Sequence, residues 1–204
     1  MTKNPIDLYC MGWQDRSDRV RWLLEEMKVP YTNHFLKKAA GEMDSPEYRK
    51  LNPMGRVPTI VDGDITLSES AAVCMYLADK YSYGTLAPKM EHEKLRAEYS
   101  KWMVFSVGSL ECVIARMFTH MRTPEESKET LRFVSDQSEI FKLALNPILS
   151  KQDYILSSGF STADIMLAAI IPGANDFLVN GNPPLEKYME RLMNREAAVK
   201  AKVF

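Results

Sequence analysis

The chain has 204 residues, of which 46% are apolar and 26% are charged, an ordinary balance for a folded globular protein. Its formal net charge of −1 argues against a general nucleic-acid-binding protein, because such proteins usually carry a basic excess. No apolar run approaches the roughly 18 residues that a membrane-spanning helix needs, and the N-terminal sequence lacks the pattern of a secretory signal. We therefore expect neither nucleic acid nor a membrane as a partner.

The residues that commonly bind metals are widely spaced. The cysteines are Cys10, Cys74 and Cys112, an odd number that predicts no disulfide framework and no zinc site. The histidines are scattered and show no metal-binding spacing. These features predict reduced thiols, a cytoplasmic location and no bound metal.

The N-terminal part of the chain alternates short strand and helix patterns. In chain order, the predicted elements are a strand at Ile6–Met11, a helix at Ser17–Lys28, a strand at Tyr31–Lys37, a short helix at Ser45–Leu51, a hairpin from Arg56 to Ser68 around Asp62-Gly63, and a helix at Ser68–Tyr81. The order βαβαββα predicts a small mixed sheet covered by helices.

The remainder of the chain has helical periodicity throughout. The segment Ser82–Lys89 contains Gly84 and Pro88 and predicts a linker. The helical patterns that follow are Glu91–Phe118, Glu125–Leu149, Ser161–Ile171 and Leu185–Lys200. We therefore predict an α/β domain over residues 1–82 and an all-α domain over residues 89–204.

Pro58 interrupts the first strand of the predicted hairpin. Proline cannot donate a hydrogen bond to a neighbouring strand, so it belongs on a sheet edge or at an irregularity. On an edge, the backbone of Val57 would be free to pair with an extended, peptide-like ligand. The alternative is that Pro58 only protects the edge from aggregation.

An acid–hydroxyl pair, Glu69 and Ser70, stands where the next helix begins. With Ser68 as the N-cap, the first backbone N–H groups of this helix would be available to an anion. Ser70 can donate to a carboxylate and Glu69 can accept from an ammonium group, so the pair suits an α-amino-acid terminus. The alternative is that Glu69 merely complements the helix dipole.

The stretch NPMGRVPTIVDGDITLSES resembles the glutathione-binding segment of the glutathione transferases, and FSTADIMLA resembles a helix-capping motif of their second domain. The resemblance implies a thioredoxin-like domain followed by a helical domain, assembled as a homodimer. It implies a cis peptide bond before Pro58, with Val57 bound to the cysteinyl backbone of glutathione. It also implies that Glu69 and Ser70 bind the γ-glutamyl end, with Arg56 as a further contact.

The residue that would activate the glutathione thiol is less evident. Relatives carry a Ser or Cys before the first helix, or a Tyr at the end of the first strand, whereas here Gln14 and Asp15 occupy the first of these places. An Asp15 carboxylate would oppose thiolate formation, but Gln14 can donate a neutral hydrogen bond. Ser17 offers a hydroxyl, unless it serves only as the helix N-cap, and Tyr9 offers a phenol, unless it only packs on the sheet.

Two functions follow from the resemblance. The first is a glutathione transferase that binds glutathione as co-substrate and directs its thiolate to a hydrophobic electrophile, which the resemblance places against the long helix that begins near Glu91. The alternative is a non-catalytic binding or regulatory protein on the same fold, since Gln14 and Asp15 replace the usual activating group.

Overall fold

The computed structural model describes residues 5–204. The chain forms two compact units: the first runs to Ala87 and also includes Arg195–Phe204, and the second is Pro88–Asn194. The domain limits 1–82 and 89–204 stay a prediction. The compact units differ from these limits at the C-terminus, because the last ten residues pack with the first unit.

The first unit contains a four-stranded sheet in the order β2-β1-β3-β4. The strand β1 pairs in parallel with β2, whereas β3 is antiparallel to both β1 and β4. The strands are β1 (Ile6–Cys10), β2 (Tyr31–Phe35), β3 (Thr59–Asp62) and β4 (Ile65–Ser68), and the helices between and after them are α1 (Ser17–Met27), α2 (Pro46–Leu51) and α3 (Ser70–Tyr81). This order confirms the predicted βαβαββα arrangement of a thioredoxin-like domain.

The two faces of β1 have different neighbours. Its buried residues Ile6, Leu8 and Cys10 alternate with Asp7 and Tyr9, which are partly exposed. The apolar face belongs to the core that also contains buried residues of α1 and α3, among them Val20, Leu23, Leu24, Val73 and Leu77. This alternation is the period of two that a strand with different surroundings on its two faces requires.

The second unit is built from helices. They are α4 (Glu93–Phe105), α5 (Glu111–Thr119), α6 (Pro124–Leu149), α7 (Thr162–Ala168) and α8 (Pro183–Met193). The predicted helix Glu91–Phe118 is divided by a π-helical turn, Ser106–Leu110, between α4 and α5. The predicted helix Leu185–Lys200 is likewise divided, and its second part, α9 (Glu196–Lys200), lies in the first unit.

Two helical stretches, Glu93–Thr119 and Thr162–Val179, are long and apolar enough to cross a membrane by length and composition. This differs from the expectation drawn from uninterrupted apolar runs. Within the apolar window of Thr162–Val179, 67% of the residues are buried in the protein, against 33% in that of Glu93–Thr119. Core helices of soluble proteins have the same composition, so the finding is weak support for a membrane protein.

The start of α7 is fixed by the predicted capping box of Ser161 and Asp164. The buried Asp164 carboxylate accepts hydrogen bonds from the Ser161 N–H at 2.8 Å and the Ser161 hydroxyl at 3.0 Å. It also accepts from the Ile155 N–H at 2.8 Å and the Tyr188 hydroxyl at 2.9 Å. One carboxylate thus joins the loop before α7, the first turn of α7, and α8.

The last ten residues dock on α1 within the first unit. The Arg195 guanidinium donates two hydrogen bonds to the Glu26 carboxylate, at 2.6 and 2.8 Å. The Lys200 ammonium lies 2.6 Å from the Glu25 carboxylate. Ion pairs between sequence-distant groups leave no signal in local periodicity, so local patterns do not predict this contact with α1.

We expect Asp164→Ala to lower the free energy of unfolding by about 3 kcal/mol or more, because several buried donors lose their acceptor together. The measurement is the urea midpoint by circular dichroism, with Asp136→Ala on α6 as control, since Asp136 is 68% exposed in its side chain. Equal midpoints for the two variants would contradict the structural role of Asp164.

Candidate functional site

The strand register brings three chain segments to one end of the sheet. Thr59 pairs with Tyr9 of β1 and with Ser68 of β4. The residues just before Thr59, Val57 and Pro58, therefore lie between the loop that follows β1 and the residues that follow β4. This end of the sheet brings the segments of Gln14, Val57 and Ser70 together.

The peptide bond between Val57 and Pro58 is cis, which confirms that prediction. Pro58 is buried, Val57 is partly exposed and Arg56 is exposed. Among the hydrogen bonds within residues 5–204, none uses the backbone N–H or C=O of Val57. The backbone of Val57 therefore retains the hydrogen-bonding capacity that a peptide-like ligand requires.

The Arg56 carbonyl is turned into the protein. It accepts a hydrogen bond from the Tyr48 hydroxyl at 2.5 Å and one from the Asn52 side-chain amide at 2.8 Å. The Arg56 side chain donates to the neighbouring Gly55 carbonyl at 3.2 Å. Sequence reasoning missed Tyr48 and Asn52, although Asn52 begins the Asn-Pro pair of the motif that carries the family resemblance.

The acid–hydroxyl pair lies at the start of α3 as predicted, but the capping residue differs. The N-cap is Glu69, not Ser68, because Ser68 pairs with Thr59 as the last residue of β4. Glu69 is exposed and has a φ of 70°, in the left-handed region that non-glycine residues rarely adopt. This conformation turns the chain sharply from β4 into α3.

The Ser70 hydroxyl accepts a hydrogen bond from a buried guanidinium, that of Arg19. Ser70 is only 5% exposed, and its oxygen accepts a hydrogen bond at 2.8 Å from the guanidinium of Arg19, which is itself buried on α1. With this oxygen accepting from Arg19, the Ser70 O–H is available to donate elsewhere. A guanidinium behind a hydroxyl, at a helix N-terminus, favours a carboxylate ligand.

Asp15 organises the loop between β1 and α1. Its carboxylate accepts from the N–H groups of Met11, Gly12 and Ser17, at 3.0, 3.1 and 2.6 Å. Three backbone donors on one carboxylate fix the course of the loop between β1 and α1. Asp15 therefore has a structural role in this loop, whatever its effect on a nearby thiolate.

Arg21, on α1, also binds the loop between β1 and α1. It is fully buried, donates to the Gly12 carbonyl at 2.6 Å, and forms an ion pair with the buried Asp18. Its guanidinium also lies 4.3 Å from the centre of the Trp13 ring. Burial raises the pKa of the Asp18 carboxyl above its usual value, while the hydrogen bond from Arg21 opposes that shift.

Gln14 is the exposed candidate within this loop. It has a φ of 64°, so the backbone turns at this residue between Trp13 and Asp15. Its exposed side-chain amide can donate a neutral hydrogen bond.

Ser17 is enclosed by the fold. It is the first residue of α1, and the N-cap is Arg16. Ser17 is 0% exposed, and its hydroxyl has no hydrogen-bond partner in the part of the chain that the structure describes. Ser17 therefore does not cap α1, and its role as a donor to the thiol stays a prediction.

Tyr9 lies on the face of the sheet that carries α2. Its ring stacks on His34, with centroids 4.7 Å apart, and is tilted against Tyr48 at 5.7 Å. Burial, and secondarily the negative charge of Asp7, raise the pKa of the Tyr9 phenol. These contacts match the packing role that the sequence left open, and they separate Tyr9 from Ser70, which contacts α1.

Cys10 points to the opposite face from Tyr9 and is fully buried. Burial raises the pKa of its thiol to about 11. Its sulfur lies 3.7 Å from the Asn33 side-chain oxygen and 3.8 Å from the His34 carbonyl. Because the thiolate is the reactive form, Cys10 is unsuited to act as a nucleophile at neutral pH.

Metal-binding geometry is also absent from the described residues: between positions 5 and 204, no group of three or more His, Cys, Asp or Glu side chains could hold a metal ion.

Comparison with known proteins agrees with this geometry. A family model described as the glutathione S-transferase N-terminal domain matches residues 16–80. The chain is 30% identical over 176 residues to a glutathione S-transferase of Triticum aestivum, which covers 85% of this chain and 79% of that protein. It is 40% identical over 95 residues to glutathione S-transferase 3 of Schizosaccharomyces pombe, but this match covers only 47% of this chain and 38% of that protein.

A solved structure shows the same fold over nearly the whole chain. It is a glutathione transferase of Phanerochaete chrysosporium in complex with oxidized glutathione, with a TM-score of 0.80 and 26% identity over 98% of this chain and 97% of that one.

The fold and site define a thioredoxin-like domain in which the backbone of Val57, just before β3, remains available near the N-terminus of α3. With these relatives, the chain belongs to the glutathione S-transferase family. The family predicted from the sequence is confirmed, and so is the activity class of a glutathione transferase. The alternative of a non-catalytic binding protein is not favoured by these relatives.

We expect one thiol of the folded protein to react readily with Ellman's reagent, that of the exposed Cys112. Cys10 and Cys74 are buried, and burial raises their pKa values to about 11 and about 12, so little thiolate is available to react. The measurement is the number of thiols labelled before and after unfolding in urea. The control is Cys112→Ser, and rapid labelling of this variant in its folded state would contradict the expectation.

Proposed function

We propose that this protein binds glutathione at the end of its sheet and directs the glutathione thiolate to a hydrophobic electrophile. The observation that carries the proposal is the hydrogen bond from the Arg19 guanidinium to the Ser70 hydroxyl. It lies beside the backbone of Val57, whose N–H and C=O make no hydrogen bond within the described residues. Ser70 offers a site for a carboxylate, and the Val57 backbone offers hydrogen bonds to a peptide. The two lie close together because Thr59, two residues after Val57, pairs with Ser68, two residues before Ser70. The γ-glutamyl carboxylate and the cysteinyl amide of glutathione have the matching chemistry.

In this proposal each end of the tripeptide has its own partners. Ser70 donates to the γ-glutamyl carboxylate, the exposed Glu69 accepts from the α-ammonium group, and Val57 pairs with the cysteinyl backbone. The exposed Arg56 is a further contact to the tripeptide in this proposal. The cis peptide bond lies between Val57 and Pro58, directly after the Val57 N–H that would pair with glutathione.

The reaction needs glutathione to be bound as a thiolate. The thiolate attacks an electrophilic carbon, a carbon–sulfur bond forms as the leaving group departs with its electron pair, and the thiol proton passes to solvent. Of the predicted donors Tyr9, Gln14 and Ser17, the exposed Gln14 is the one that the geometry favours, because Ser17 is enclosed and Tyr9 packs under α2. A donor to the thiolate lowers the thiol pKa.

The proposal includes a cytoplasmic homodimer, as the resemblance to the family implies. The hydrophobic character of the electrophile rests on the same resemblance.

We expect Ser70→Ala to weaken glutathione binding about tenfold or more, since it removes a hydrogen bond to a charged carboxylate. The measurement is the dissociation constant from isothermal titration calorimetry. Ser158→Ala, an exposed serine of the second unit, is the control. Undiminished affinity in Ser70→Ala would overturn the proposed binding site.

We expect the thiol pKa of bound glutathione to lie below that of free glutathione, and Gln14→Ala to raise it toward the free value. The ultraviolet absorbance of the thiolate across pH measures this pKa, and conjugation of 1-chloro-2,4-dinitrobenzene measures turnover. Tyr9→Phe and Ser17→Ala are tested beside it, with smaller effects expected. If Gln14→Ala matches the unchanged protein in both assays, the assignment of Gln14 fails.

A further inference from the structure

We propose that Tyr48 and Asn52 are positioning residues for the ligand-binding backbone of Val57. The inference rests on the proposed function, and it names two side chains of the α2 region that would never touch glutathione themselves. Both are almost fully buried, Tyr48 with 3% and Asn52 with 2% of its surface exposed.

The Arg56 carbonyl is the group through which they act. The Tyr48 hydroxyl and the Asn52 amide both donate to it, at 2.5 and 2.8 Å. The buried Thr59 hydroxyl lies 2.8 Å from the Tyr48 hydroxyl and 3.1 Å from the Asn52 amide nitrogen, which joins the pair into one network. Because Thr59 is also the residue that pairs with β1 and β4, this network is anchored to the sheet.

The orientation of the Arg56 carbonyl determines that of the Val57 N–H, because both groups belong to the same planar peptide unit. The cis bond of this segment is the one before Pro58, so the bond between Arg56 and Val57 is trans. In a planar trans peptide the C=O and the N–H point in opposite directions. A carbonyl of Arg56 that is fixed toward the interior therefore directs the Val57 N–H away from it, where it can donate to the cysteinyl carbonyl of glutathione.

The packing around Tyr48 supports the same role. The Tyr9 ring is tilted against the Tyr48 ring, with centroids 5.7 Å apart, and Tyr9 is stacked in turn on His34. These aromatic contacts restrict the rotamer of Tyr48 and keep its hydroxyl on the Arg56 carbonyl. Tyr9 thereby contributes to the site by packing.

The first test is Tyr48→Phe, which removes the hydroxyl and keeps the ring. We expect the dissociation constant for glutathione to rise about fivefold to tenfold, because the Arg56 carbonyl loses one of its two close donors and its peptide can rotate. The matched control is Tyr188→Phe, which removes another buried hydroxyl, bonded to Asp164 in the second unit. We expect both variants to lose stability toward urea, but only Tyr48→Phe to lose affinity for glutathione.

A second ligand distinguishes a positioning role of Tyr48 from a general loss of structure at the site. In γ-glutamylcysteamine, the γ-glutamyl end and the thiol remain, but the cysteinyl carbonyl is missing. We expect the effect of Tyr48→Phe on affinity to disappear with this ligand, whereas the effect of Ser70→Ala persists with both ligands. Equal losses for the two ligands in Tyr48→Phe would mean a structural role alone and would overturn the inference.

Asn52→Asp provides an independent variant of nearly the same size. Its carboxylate cannot donate to the Arg56 carbonyl, so we expect the same ligand-dependent loss as for Tyr48→Phe. If both variants bind glutathione normally while Ser70→Ala does not, the positioning inference fails and the proposed function stands. If the unchanged protein shows no saturable glutathione binding, the proposed function fails, and the inference with it.

Discussion

The pairing of β3 with both β1 and β4 is the constraint on which the candidate site depends. Thr59 lies opposite Tyr9 on one side and opposite Ser68 on the other. This register sets Val57 and Pro58 between the loop of Gln14 and the start of α3. A slip by one residue would reverse the faces of β3 and separate these segments, because side chains alternate along a strand.

Buried and partly buried polar groups then fix each of the three segments. Asp15 holds the loop after β1 through backbone N–H groups, Arg19 holds Ser70 from α1, and Tyr48 and Asn52 hold the Arg56 carbonyl. Such groups are costly to bury unless their hydrogen bonds are made, so each one strongly favours a single local arrangement. A site whose backbone is held in this way loses less entropy when a peptide-like ligand binds.

Much of the fold could be predicted from local patterns. The apolar alternation of Ile6, Leu8 and Cys10 gave a strand, and Asp62-Gly63 gave the hairpin. The predicted N-cap of α3, Ser68, was wrong by one residue. Ser68 pairs with Thr59 as the last residue of β4, so the N-cap is Glu69. The long helix was divided at Ser106–Leu110, because a π-helical turn has no distinct signature in the apolar period.

The sequence by itself determined the family, the βαβαββα order, and the positions of Val57, Glu69 and Ser70, because these depend on short motifs and local periodicity. Only the tertiary structure showed that Ser17 is enclosed, that Tyr9 packs against Tyr48, and that Arg19 supports Ser70. It also brought Arg195 to Glu26, which lies 169 positions earlier in the sequence. The physical reason is the same in each case: burial and long-range hydrogen bonds depend on which elements pack together, and no local pattern records that packing.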